Sequence, residues 1–265
     1  GTGLMAGVVV LTRVGFDPVN VALSVTAALA TLLFVRRCSG PGSLVNLGRL
    51  RSQPGVLRAH AIALLVNAVM CNFLFFFAIE LQLAQGLSPL LAGAALIPFA
   101  AGLTLTAPLV GRAVDRCGTA IVLLVSGGVV FVSQIALATV GAHASVAAVV
   151  ALSLVAGAAL GATATAATAG AMHLVPDDKL GESAGTLAAA RVLGLALGVS
   201  LMARIAGYAW PDGLAGSDGE RIQSGISAGL SVNAVIGAAT VAIAFFGMRG
   251  QRHTWIVRRI TRETN

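Results

Sequence analysis

The chain has 265 residues, of which 57% are hydrophobic and 10% charged, and its mean hydropathy is +0.91. Soluble domains carry about 25% charged residues to cover their exterior, so this composition excludes a water-soluble fold and makes the bilayer the natural solvent. The formal net charge is +7, with 16 Arg and one Lys; the arginines lie between apolar runs and no basic, aromatic-interleaved segment stands free, so no nucleic-acid partner is expected.

A membrane-crossing helix takes about 20 mostly apolar residues. Leu4–Leu11 is apolar but too short and reads as the end of a cut helix. The chain also begins with Gly1 rather than Met, so it is expected to be a piece of a longer protein. Apolar runs of spanning length follow at Val19–Val35, Ala61–Leu83, Leu90–Val110, Thr119–Val140, Val146–Met172, Gly185–Ala209 and Gly225–Met248. The expected fold class is an all-α integral membrane protein with seven transmembrane helices plus a truncated helix stub. The ten-residue alternation of a membrane barrel is absent. Asp17-Pro18 and Ser88-Pro89 each put a capping oxygen before a proline suited to the first helical turn, and Pro98 is predicted to kink its span.

The loops orient these spans, since Lys and Arg collect on the cytoplasmic side. The loop after the first full span carries Arg36, Arg37, Arg49, Arg51 and Arg58, the next (84–89) no charge, and the third Arg112 and Arg116. The fourth (141–145) has no Lys or Arg, and the fifth has Lys179 beside Asp177, Asp178 and Glu182. The sixth (210–223) has Arg221 against Asp212, Asp218 and Glu220, and the tail has Arg249, Arg252, Arg258, Arg259 and Arg262. Basic and non-basic loops alternate, which predicts a multi-pass protein of the plasma (cytoplasmic) membrane with odd loops and the C-terminus cytoplasmic. The tail is expected to touch anionic headgroups.

The third loop, "GRAVDRCG" at 111–118, reads as a short turn, with Gly111 and Gly118 permitting tight backbone geometry. Asp115 is expected just ahead of the next helix, where a carboxylate meets free N–H groups. The pattern Gly111-x-x-x-Asp115-Arg116-x-Gly118 between two spans resembles the signature loop of the major facilitator superfamily. "SLVNLGRLRS" (43–52), with Asn46 where Asp is usual, "GLSPLLAGAALIPFAAG" (86–102) and "VPDDKLGESAGTLAAARVLGLALGVSL" (175–201) resemble segments of its fourteen-helix drug:proton antiporter branch. Thr119 and Ala120 replace the basic residues that usually extend the signature loop.

The resemblance covers roughly residues 4–248 and implies the C-terminal bundle of a major-facilitator fold. Residues 1–16 would be a truncated helix end, 17–37 a linker helix, 38–58 a basic cytoplasmic loop, 59–248 the six-helix C-terminal bundle and 249–265 a basic cytoplasmic tail. The implied function is the C-terminal half of a secondary active transporter that exports drugs or amphipathic metabolites against protons by alternating access. Transport of another small solute, or a non-transporting membrane module, are the alternatives. The implied partners are the N-terminal half of the same transporter, membrane lipids, a small-molecule substrate and protons. No enzymatic activity and no cofactor are expected.

Several residues stand out within the spans. Glu80, in "FFFAIELQL", is an intramembrane acid and by default a functional candidate; the alternative is a passive, solvated position at the outer interface. Asn72, eight residues earlier, is expected on roughly the same face by helical spacing, extending a polar cavity stripe with Glu80. Arg191 lies inside an apolar helix and either snorkels or locks one conformation. Gln134, Asn233 and Thr163 line a cavity or bond between helices. Gly157-x-x-x-Gly161, Gly181-x-x-x-Gly185 and Gly194-x-x-x-Gly198 permit close helix approach, either as static packing or as faces that slide. Asp177 and Asp178 are expected to cap a helix. His143 and His173 are solitary, and Cys38, Cys71 and Cys117 have no metal spacing, so no metal site is expected.

Overall fold

The computed structural model describes residues 54–140, 144–210 and 218–263, with side chains up to Gly247. The expected stub, the helix at Val19–Val35, most of the basic loop and His143 lie outside the described residues. Within them every regular element is helical, and six helical spans are long and apolar enough to cross a membrane.

Helix α1 runs from Pro54 to Ile79 and continues into a π-helical turn, Glu80–Ala84. It starts seven residues before the apolar run, so Arg58 and His60 belong to the helix. The second span, Pro89–Cys117, is built from three pieces: α2 (Pro89–Ala95), α3 (Ile97–Leu105) and α4 (Ala107–Cys117). Ser88 caps its start, its hydroxyl accepting from the Leu91 N–H at 3.4 Å. The breaks fall at Leu96 and Thr106, each two residues before a proline, Pro98 and Pro108, whose ring removes an N–H and crowds the carbonyl four residues back. The second break is not anticipated from sequence, because Pro108 sits close to the expected end of the span. The hydroxyls of Thr104 and Thr106 donate to Ala100 O (2.6 Å) and Gly102 O (2.9 Å) around that break.

Helix α5 (Thr119–Val140) and α6 (Val146–His173) follow, then a short 3₁₀ turn (Asp177–Lys179) and α7 (Leu180–Ala209). Helix α8 runs from Gly219 through Glu263, past the expected end of its span at Met248, so the segment expected as a tail continues the same helix.

Helices α1 and α6 meet at the centre; α1 packs along α7 and α8, α6 packs along α3 and α5, and α5 and α8 pack on each other. Exchanging the first three spans for the last three maps this set of neighbours onto itself. The core is aromatic and aliphatic, with Phe73, Phe76, Phe77, Ile62, Leu160 and Leu230 fully buried. Phe73 stacks on Phe77 and on Phe99 of α3, with ring centroids 5.0 and 4.8 Å apart.

Two crossings depend on glycine. A methyl group on Gly157 or Gly161 of α6 would overlap the carbonyl oxygens of Phe99 and Leu103 on α3. One on Gly194 or Gly198 of α7 would overlap those of Leu64 and Ala68 on α1. The backbones touch there because no side chain separates them. Gly181 and Gly185 face open space, so that third repeat is not a helix contact.

Candidate functional site

The bundle is apolar except for buried polar groups spread over α1, α5, α6, α7 and α8. The Gly86 end holds Glu80, 5% exposed, where the π turn widens the helix; such turns are frequent at functional positions. Gln85 donates to Glu80 Oε1 at 3.3 Å and lies 3.4 Å from the Ala144 carbonyl. Gln223, at the start of α8, lies beside the carboxylate without closing a hydrogen bond to it, and Glu80 Oε2 has no partner among the described residues. Glu80 is therefore not the solvated interface residue of the alternative sequence reading. Among the described residues it is the one buried acid.

About two turns deeper, Asn72, Asn233 and Gln134 are all 0% exposed. Asn72 Nδ2 donates to Asn233 Oδ1 at 2.8 Å and to Gly229 O at 3.2 Å, and Asn233 Nδ2 donates to Gln134 Oε1 at 3.4 Å. These three side chains join α1, α8 and α5. They face one another in the interior, and the pairing is incomplete: Asn72 Oδ1 and Gln134 Nε2 have no partner among the described residues. Asn72 and Glu80 both face α8 but are not bonded to each other. Thr163 on α6 forms a similar pair, its hydroxyl 2.9 Å from Ser126 Oγ on α5 and 2.8 Å from the Ala159 carbonyl of its own helix.

Arg191 is half-buried on α7 and donates to Thr168 Oγ1 on α6 at 2.5 Å. That bond ties its guanidinium to a neighbouring helix, so it does not simply snorkel. Arg204 is exposed. Nearer the Gly118 end, His60 is 5% exposed, with Nδ1 2.8 Å from Val56 O and Nε2 2.8 Å from Thr186 Oγ1 on α7. Sequence reasoning missed His60, since a helix taken to start at Ala61 leaves it in a loop. Pro54 as a first-turn residue was the signal that would have placed it inside. A cavity of about 120 Å³ opens at the same end, lined in part by Arg58, Thr119, His173 and Gly247.

The segment "GRAVDRCG" is not a turn over its whole length. Helix α4 continues through Gly111, Asp115 and Arg116 to Cys117, and Gly118 alone, at φ 82°, joins it to α5. Nothing between Gly111 and Cys117 breaks a helix, whereas Gly118 adopts a backbone that a side chain disfavours. Asp115 therefore lies in the last turn of α4 rather than ahead of α5. Asp177 and Asp178 likewise form a 3₁₀ turn before α7 with no side-chain cap bond. Among the described residues, no three His, Cys, Asp or Glu side chains come together as a metal site.

Six apolar helices arranged as two equivalent triplets, joined by glycine-lined crossings around buried polar groups, define a multi-pass helical membrane protein of the transporter class. The Major Facilitator Superfamily model matches residues 1–199 and, in a second register, residues 61–258. The chain belongs to the Major Facilitator Superfamily and is a membrane transporter of that group. No curated protein matches it.

Proposed function

We propose that this chain is the C-terminal half of a fourteen-helix drug:proton antiporter, lying in the plasma membrane with the Gly118 end and the C-terminus cytoplasmic. The reading rests on the antiporter-like segments at 43–52, 86–102 and 175–201, and the arginine-bearing loops set its orientation. The N-terminal half completes the cavity, the two halves rock about a midplane site, and amphipathic compounds leave as protons enter.

One observation carries the coupling: Glu80 is a buried carboxylate with an unpartnered oxygen between α1 and the start of α8. An ionisable group inside a membrane bundle is costly to keep without a use. In the proposed cycle Glu80 takes its proton from the outer side. Neutralising it removes a charge from the α1–α8 joint and lets the bundle rearrange. The test is Glu80→Gln in the complete transporter, reconstituted in liposomes with ethidium as the probe. Proton-driven export is expected to fall about tenfold or more, equivalent to about 1.4 kcal/mol or more on the limiting step, with the thermal melting temperature unchanged. Export at the wild-type rate would overturn the assignment.

A further inference from the structure

The three bonds that His60 and Thr186 make cannot all be held at once by a neutral imidazole. The Val56 carbonyl only accepts, so the 2.8 Å contact requires a proton on Nδ1. The Thr186 hydroxyl carries one proton, and at 2.9 Å it donates that proton to the Ser183 carbonyl. Nothing is left for Thr186 to donate to His60 Nε2, 2.8 Å away. All three bonds hold together only when Nε2 also carries a proton, that is, when the ring is an imidazolium. With a neutral ring protonated on Nδ1, the Thr186 hydroxyl must turn from Ser183 O and donate to Nε2 instead. Ser183 O keeps the backbone N–H that any helical carbonyl accepts, so the neutral arrangement is also satisfied. The two states differ by one proton and one hydroxyl rotation.

We propose that His60 and Thr186 form a proton-binding joint between α1 and α7. A proton arriving from the Gly118 end binds Nε2, the Thr186 hydroxyl swings to Ser183 O, and the bond across the joint becomes charge-assisted. Loss of the proton reverses both changes. Charge-assisted hydrogen bonds are roughly twice as strong as neutral ones, so protonation tightens α1 against α7. The joint lies on the crossing where Gly194 and Gly198 bring α7 onto the α1 backbone, so a small change in grip acts on a contact with no side-chain slack. The adjacent Ser183 hydroxyl is buried with no partner among the described residues, a further oxygen available to the same exchange.

The surrounding charges are few. Helix α1 brings Arg58, half-buried two residues earlier; α7 brings Glu182, four residues before Thr186, and Arg191, five after it; α6 ends in His173. Between Ile222 and Gly247, α8 carries no charged residue. The bonds of the His60 ring go to Val56 and Thr186. The joint does not depend on what the transporter carries or on which ion drives it.

Cys71 supplies a native reporter, since its Cβ lies against Gly198 in the same crossing. In the complete transporter, with every other cysteine replaced, the rate of Cys71 modification by a membrane-permeant maleimide reads opening of the joint. Dividing the wild-type rate by that of His60→Gln at each pH cancels the thiol's own ionisation. The ratio is expected to be near one at about pH 8.5 and to fall about fivefold by about pH 5.5, the size of a modest coupling between sites. Thr186→Val is expected to abolish the fall and Thr186→Ser, which keeps the hydroxyl, to retain it. Selective ¹⁵N-histidine spectra of the wild type are expected to show the His60 Nε2 signal moving over the same range. A constant ratio, or a His60 signal that does not titrate, overturns the proposal. Neither readout uses transport or a proton gradient, so the joint and the antiporter reading fail separately.

Discussion

Asp115 is exposed in the last turn of α4, where the helix presents its negative end and a carboxylate is unfavourable. Asp115→Asn is therefore expected to leave thermal stability unchanged or raise it by a few tenths of a kcal/mol while lowering efflux by the complete transporter. Equal efflux at equal abundance would make the segment a helix end and nothing more. The Asn72–Asn233–Gln134 triad behaves oppositely. Asn233→Leu strands a buried donor on Asn72 and an acceptor on Gln134 and is expected to cost about 1–3 kcal/mol in a denaturation assay. Adding Asn72→Leu should recover part of that loss, because the unmatched donor then disappears. At this scale sequence is a good guide to charges: Glu80 and Arg191 stand out because each interrupts an apolar run. It is a poor guide to pairing. Nothing local to Asn72 says that its partner lies 161 positions away, and His60 looks like a loop residue until α1 is seen to begin at Pro54.

The elements are set by a balance between helix propensity and close approach. Alanine is favoured over glycine in a helix interior by about 1 kcal/mol. Gly181→Ala and Gly185→Ala, which face open space, should stabilise the bundle by up to that amount. Gly157→Ala and Gly194→Ala push a methyl into a neighbouring carbonyl and should destabilise by about 1–3 kcal/mol, the usual cost of overpacking. Thermal melts of the four variants in one detergent check both signs. All three repeats look alike in sequence. Their difference lies in what stands opposite them, which is a property of the assembled helices. The proline breaks follow the reverse pattern: Pro98 and Pro108 act through their own rings on their own helix, and so are local.

For the whole molecule, the proposed orientation puts Cys117, exposed beside Gly118, on the inner side and the exposed Ser88 on the outer side. A membrane-impermeant maleimide applied to intact cells should label Ser88→Cys and leave native Cys117 unlabelled until the cells are permeabilised; the reverse would invert the topology. The span Pro89–Cys117 leaves Leu90, Ile97, Leu105 and Leu109 more than half exposed, at 83, 66, 70 and 61%. Such a surface is at home against lipid or a second bundle. Because the proposed cavity needs that second bundle, residues 1–265 alone in liposomes are expected to show no gradient-driven dye flux; measurable flux would mean the chain is sufficient.

Length and greasiness of the apolar runs were enough to read off the described spans and their helical nature, since in a bilayer each backbone must satisfy its own hydrogen bonds and a helix does so within a single run; the helix ends at Pro54 and Cys117 lie beyond the apolar runs. The arginine pattern and the family-like segments extended that reading to a superfamily. Assembly alone settled which polar groups meet, which glycine repeats touch a neighbour, and that His60 belongs to a joint with Thr186. Those facts depend on residues far apart in the chain being brought to a common surface, and the local pattern around each residue carries no record of its neighbour there.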